Sequence, residues 1–176
     1  MTRYNFSDIS IRGRVAFSIS CFENALVFFG QDYSEWRIVL EKMWSYTSIE
    51  FFDDWHYSMA EYLPESILEC TKYEEDFEYV DKDTFEMLYK IYTNNNKLIL
   101  DLVRSIFDIG ISELYGKLTN HGQNNLVEIE KLIKCMKEYN IPLPDIHKFN
   151  IYSYNDAEGW GNGFDGLSQI SILKNI

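Results

Sequence analysis

Asp53 and His56 stand three residues apart, which on a helix sets a carboxylate and an imidazole one turn apart on the same side. Helical di-iron sites use that spacing, but with glutamates, in duplicate, and with further carboxylates. No second such pair stands in this sequence. His121 sits in a turn beside Gly122, and His147 follows Pro144 near the end. A metal-dependent protein or enzyme built on Asp53 and His56 is therefore the secondary reading, and the primary reading expects no metal and no other cofactor. His56 is read as a helix residue packed against Trp55 or Phe52. Cys21 lies in the apolar turn Ile19–Phe22, which reads as a buried, inert thiol rather than a nucleophile. G-x-S-x-G, H-E-x-x-H and Walker patterns are missing. The glycines of Gly159–Gly166 have the look of a phosphate cradle, yet no βαβ pattern leads into them and Asp165 stands where an anion would go. A tight loop that tucks Trp160 and Phe164 onto helices is the better reading. No catalytic residue is expected.

The elements that hold these residues read as helices. Ile11, Val15, Ile19, Phe22, Leu26 and Phe29 recur at helical steps before Gly30, with Ser7 or Asp8 as the cap. A second helix is expected over about 33–46, on Trp36, Val39, Leu40, Met43 and Trp44. Ser48 offers the start of a third, carrying Phe51, Phe52, Trp55 and Met59 to Pro64, after which a short helix resumes at 65–68. Residues 71–82 read as a surface connection. Asp83 or Thr84 would cap the next helix, Asn94–Asn96 make a turn, and a long helix follows over about 97–118. The last regular helix carries Leu126, Ile129, Leu132, Ile133 and Met136, and Pro142 and Pro144 end it. The spacing thus predicts one all-α domain over 1–176, with about six or seven helices in a core of 1–144. Residues 145–176 form an irregular, Gly- and aromatic-rich flap. Phe149, Ile151, Tyr152 and Tyr154 favour a short strand or an ordered loop there.

Composition narrows the function. The three cysteines are widely spaced and include no C-x-x-C, which predicts free thiols in a cytoplasmic protein. Arg12 and Arg14 ahead of Val15–Cys21 look like a secretory leader, but Ser18 interrupts the apolar run and Phe22–Leu26 continues the helix. No stretch approaches the ~20 apolar residues of a membrane span, so no membrane partner is expected. The net charge of −12 argues against direct nucleic-acid binding, because phosphates must be met by lysine and arginine.

The charge is also concentrated. Glu50 to Glu86 holds thirteen acids against Lys72 and Lys82, a net −11 over 37 residues of a chain that carries −12 in all. The acids are interleaved with aromatics such as Phe51, Trp55, Tyr57, Tyr62, Tyr73 and Tyr79. Tyrosine and tryptophan are favoured at binding hot spots, and carboxylates steer a basic partner. Asp53, Asp54, Glu61, Glu65, Glu69, Glu74, Glu75, Asp76 and Glu78 are expected to supply the charge. Trp55, Tyr62, Tyr73 and Tyr79 are expected to supply the anchors.

The stretches Gly13–Ala25 and Trp36–Trp44, with the closing Gly159-Trp160-Gly161 and Phe164-Asp165-Gly166, resemble small helical bacterial immunity proteins. Those are antitoxins encoded beside polymorphic toxins, contact-dependent growth-inhibition systems among them. The resemblance implies a cytoplasmic, non-enzymatic protein that binds and neutralises one cognate toxin domain. Many such toxins are basic RNases or DNases, and the acidic, aromatic segment fits one. An adaptor domain with a different partner is the remaining alternative.

Overall fold

Helix α1 (Ile11–Phe28) is the element around which the others assemble. Fifteen of its 18 residues are buried, so it is a central helix rather than an amphipathic surface one. Ser10, in extended conformation, caps it by accepting the Gly13 N–H at 3.2 Å. The cap therefore lies two or three residues beyond the expected Ser7 or Asp8. The computed structural model describes residues 5–73 and 76–175. Among them the remaining helices are α2 (Arg37–Trp44), α3 (Phe52–Glu61), α4 (Pro64–Leu68), α5 (Lys82–Thr93), α6 (Lys97–Ile111), α7 (Gln123–Glu138) and the single turn α8 (Gly166–Gln169). α6 and α7 pack along α1, α3 leans on α6, and α4 joins α5 to the rest. The result is one all-α domain, as the hydrophobic spacing predicts.

Several boundaries differ from that spacing for local reasons. α2 begins at Arg37, because 33–36 form turns. α3 begins at Phe52 with no side-chain cap, so Ser48 does not start it. Asp81 caps α5 by accepting the Thr84 N–H at 2.8 Å, ahead of the expected Asp83 or Thr84. Asn96 caps α6, accepting from Ile99 N at 3.1 Å. α6 stops at Ile111, well short of Leu118. Just beyond it, Glu113 turns inward and accepts the Asn125 N–H at 3.0 Å, doing for α7 what its own leading residue, Gly122, cannot.

Burying α1 on all sides also buries its charges, and each finds partners beyond the helix. Arg12 donates to Tyr46 O at 2.6 Å, Ile49 O at 2.7 Å and Gly161 O at 3.2 Å, with its guanidinium 4.4 Å from the centre of the Phe52 ring. Arg14 donates to Ile9 O at 2.7 Å and Phe6 O at 3.0 Å, and burial lowers its pKa to about 10. Glu23 accepts from Trp44 Nε1 at 2.8 Å and Ser171 Oγ at 2.6 Å, and burial raises its pKa despite those bonds.

The tail makes these bonds possible. It is irregular, as expected, but it forms no strand among the described residues. A single antiparallel bridge joins Ser153 to Ile9. Ser10 N donates to Tyr152 O at 2.8 Å, Arg12 N to Trp160 O at 3.0 Å and Phe164 N to Thr47 O at 2.9 Å. Trp160 lies over Phe52 with ring centres 4.8 Å apart, and Phe164 stacks on Tyr152 at 3.9 Å. The loop tucks its aromatics inward as the sequence indicates. Residues 145–175 are thus a structural partner of 9–12 and 46–49 more than a cover over a finished core.

Candidate functional site

α3 divides its residues by side. Trp55, Ser58 and Met59 face inward and are buried. Trp55 is fully enclosed: its ring meets Tyr46 edge-on at 4.9 Å and stacks on Phe107 at 6.0 Å, and its Nε1 donates to Lys42 O at 3.0 Å. Gly110 on α6 makes room for it, since a Cβ there would lie 2.6 Å from the ring. Trp55 is therefore a core residue, which corrects its expected role as a partner anchor.

The outward side carries Asp53, Asp54 and Tyr57. Both aspartates lie in the first turn of α3, where the helix dipole favours negative charge. Tyr57 stacks on His56 with ring centres 5.1 Å apart. The His56 ring meets Tyr115 from beyond α6, its Nδ1 lying 2.5 Å from the Tyr115 hydroxyl. Partial desolvation, a hydrogen bond with Tyr57, and the charges of Tyr57 and Asp53 raise the Tyr115 pKa. Tyr79 borders the same group: partial desolvation, then Glu78, Asp54, Glu61 and Tyr57, push its hydroxyl up. Tyr115, His56 and Tyr57 so form one aromatic run, with Tyr79, Asp53, Asp54 and Glu78 within electrostatic reach of it. Phe51 stands at the entrance to α3. Phe51, Tyr57, Tyr79 and Tyr115 are 62%, 54%, 41% and 66% exposed, a large apolar content for open surface.

Glu61 builds this face from beneath. Its carboxylate accepts the backbone N–H groups of Glu78 at 2.9 Å, Tyr79 at 2.7 Å and Val80 at 3.0 Å. Three bonds to one ionised acceptor fix the segment that presents Glu78 and Tyr79. Glu61 is a positioning residue, not a free surface charge as expected. Glu65 is likewise engaged inside the molecule, in an ion pair with Arg104, which also holds Asp108 at 2.8 Å. Tyr62 is half-buried beneath Lys42, whose Nζ lies 5.4 Å from the ring centre. Tyr73 points elsewhere, stacking on Phe77 at 6.0 Å and meeting Phe85 edge-on. Glu69 and Asp76 are exposed. Glu74 and Glu75 lie outside the described residues.

Of the expected residues, Asp53, Asp54, Glu78 and Tyr79 come together. Tyr57, Tyr115 and Phe51 complete the face and were not expected as anchors. The helical period does mark Tyr57, which lies opposite Trp55 and near Asp53 and Asp54 on α3. Tyr115 stands 59 residues from His56, and nothing local announces the contact. Asp53 and His56 gather no third ligand. Among the described residues, no three His, Cys, Asp or Glu side chains are placed to hold a metal ion, nor is any helix long and apolar enough to cross a membrane.

Compared with known proteins, the chain matches no family model, no curated protein and no solved structure.

Proposed function

We propose that this chain is an immunity-type binding protein that neutralises a basic toxin domain, a nuclease by charge, through the aromatic and acidic face of α3. The observation that carries this reading is the joining of exposed Tyr57, Tyr79 and Tyr115 to Asp53, Asp54 and Glu78 on one rigid support. Rigid aromatics supply contact area at small entropic cost, and the carboxylates steer a cationic partner into register. The resemblance of Gly13–Ala25, Trp36–Trp44 and the closing Gly-Trp-Gly segment to immunity proteins supports the same reading.

The test is capture of the partner from the native host through a moderate-salt wash, with the bound protein identified by mass spectrometry. A stoichiometric basic domain is expected. It should be lost from the Asp53→Lys/Asp54→Lys/Glu78→Lys variant, whose helicity should match the native chain. Equal retention by that variant removes the face from the reading.

A further inference from the structure

The only two lysines of the acidic stretch, Lys72 and Lys82, line the same groove, and Lys90 joins them there. The groove has a volume of about 570 Å³, within the roughly 300–1,000 Å³ of ordinary small-molecule sites. Tyr73, Phe85 and Tyr89 supply its rings, and Glu86 is its one carboxylate among the described residues. α5 explains the arrangement. Lys82, Glu86 and Lys90 follow at four-residue steps along one side, and Phe85 and Tyr89 repeat at the same step beside them. Phe85 and Tyr89 stack with ring centres 5.9 Å apart, and Tyr73 meets Phe85 edge-on at 5.9 Å.

Lys82 and Lys90 are only loosely held. Lys82 lies 3.8 Å from Glu86 and Lys90 lies 4.0 Å from Glu35, and all four side chains are more than half exposed. Such pairs contribute little, so a ligand anion can take both ammonium groups without a large loss. Among the described residues, Lys72, Lys82 and Lys90 meet Glu86 in the groove and Glu35 beside it, a local excess of one positive charge in a chain of net charge −12. Ammonium donors beside the partly exposed Tyr89 ring and the half-buried Tyr73 ring suit a flat ring that carries a phosphate. The negative charge elsewhere on the chain opposes a long polyanion and favours a short one.

We propose that the groove of Lys72, Lys82, Lys90, Tyr73 and Tyr89 binds a mononucleotide, its base against the tyrosine rings and its phosphate between the lysines. This is a second site, independent of the face on α3, and it stands whether or not the chain binds a toxin.

The experiment is calorimetric titration of the full chain with AMP at ~0.15 M salt, where surface fields are screened to about 8 Å. Inorganic phosphate, adenosine and a 5′-phosphorylated oligonucleotide are the other probes. Saturable AMP binding is expected, with phosphate and adenosine each weaker. Losing a charge-assisted contact should weaken AMP by about tenfold in Lys82→Gln/Lys90→Gln. Tyr89→Ala, at an exposed ring, should lower affinity in the same direction, and Glu86→Gln should raise it. Circular dichroism of each variant confirms folding. AMP binding more tightly than the oligonucleotide assigns a free nucleotide, and the reverse order assigns the phosphorylated end of a strand to the same groove. No saturable binding, phosphate equal to AMP, or unchanged affinity in the folded lysine variant overturns the proposal.

Discussion

Glu23 shows how one residue can carry both a bond network and a liability. Its carboxylate ties Trp44 of α2 to Ser171 of the tail, yet burial raises its pKa above the ordinary value. An acid with a raised folded-state pKa holds its proton longer when folded, so stability falls as pH rises from the unfolded value, ~4.3, through the raised one. Below the unfolded value the penalty is absent. Glu23→Gln keeps an acceptor for Trp44 and removes the ionisation, so thermal melts across that window should lose their downward slope. A slope equal to that of the native chain would remove Glu23 as its cause. Trp55 belongs to the same scale. Trp55→Ala empties a filled site between α3 and α6 and should cost ~3–5 kcal/mol in urea unfolding. Trp55→Phe should lower stability while leaving partner affinity unchanged, because the ring never reaches the surface.

At the scale of elements, α3 and the segment 78–80 form a single presenting unit because Glu61 joins them. Glu61→Ala frees three amides, and their hydrogen exchange should accelerate by about tenfold or more, while amides of α1 stay protected. Partner affinity should fall with it, because the segment that presents Glu78 and Tyr79 is no longer held. Asp81→Ala removes the cap of α5 and should cost ~1 kcal/mol. The helices themselves were readable, since apolar residues at three- and four-residue steps leave few alternatives. Their ends were less so. Ser7, Asp8 and Ser10 are all good caps, and bonds to the tail, among them the one Ser10 N–H donates to Tyr152 O, hold the chain where Ser10 takes the role. Likewise the inward and outward sides of α3 follow from period, whereas Tyr115 reaches the face through the turn that ends α6. The strand tendency of Phe149, Tyr152 and Tyr154 was overridden: Phe149 packs on Phe17 of α1, Tyr152 on Phe164 of the tail and Tyr154 on His121 in the turn before α7, and none joins a ladder among the described residues.

For the whole molecule, the lopsided charge has a kinetic signature. Association with a cationic partner should slow as salt is raised, while dissociation changes little, as stopped-flow mixing at several ionic strengths can measure. A rate insensitive to salt would mean that the −11 held between Glu50 and Glu86 takes no part in encounter. The sequence made that concentration visible but not its division. Folding turns Glu65 toward Arg104 and Glu61 toward a backbone segment, leaving Asp53, Asp54 and Glu78 beside the exposed rings.

The bonds between α1 and the tail also set a timetable. Arg12 waits for Gly161, 149 residues later, and Glu23 waits for Ser171, 148 residues later. Until those residues leave the ribosome, Arg12 has Tyr46 O and Ile49 O but not Gly161 O, and Glu23 has Trp44 but not Ser171, so the central helix holds its buried charges with part of their bonds missing. At the usual ~5–20 residues per second of synthesis, most of the protein is made before its native state exists. Whatever this molecule binds, its central helix is therefore fully partnered only once the tail has been made.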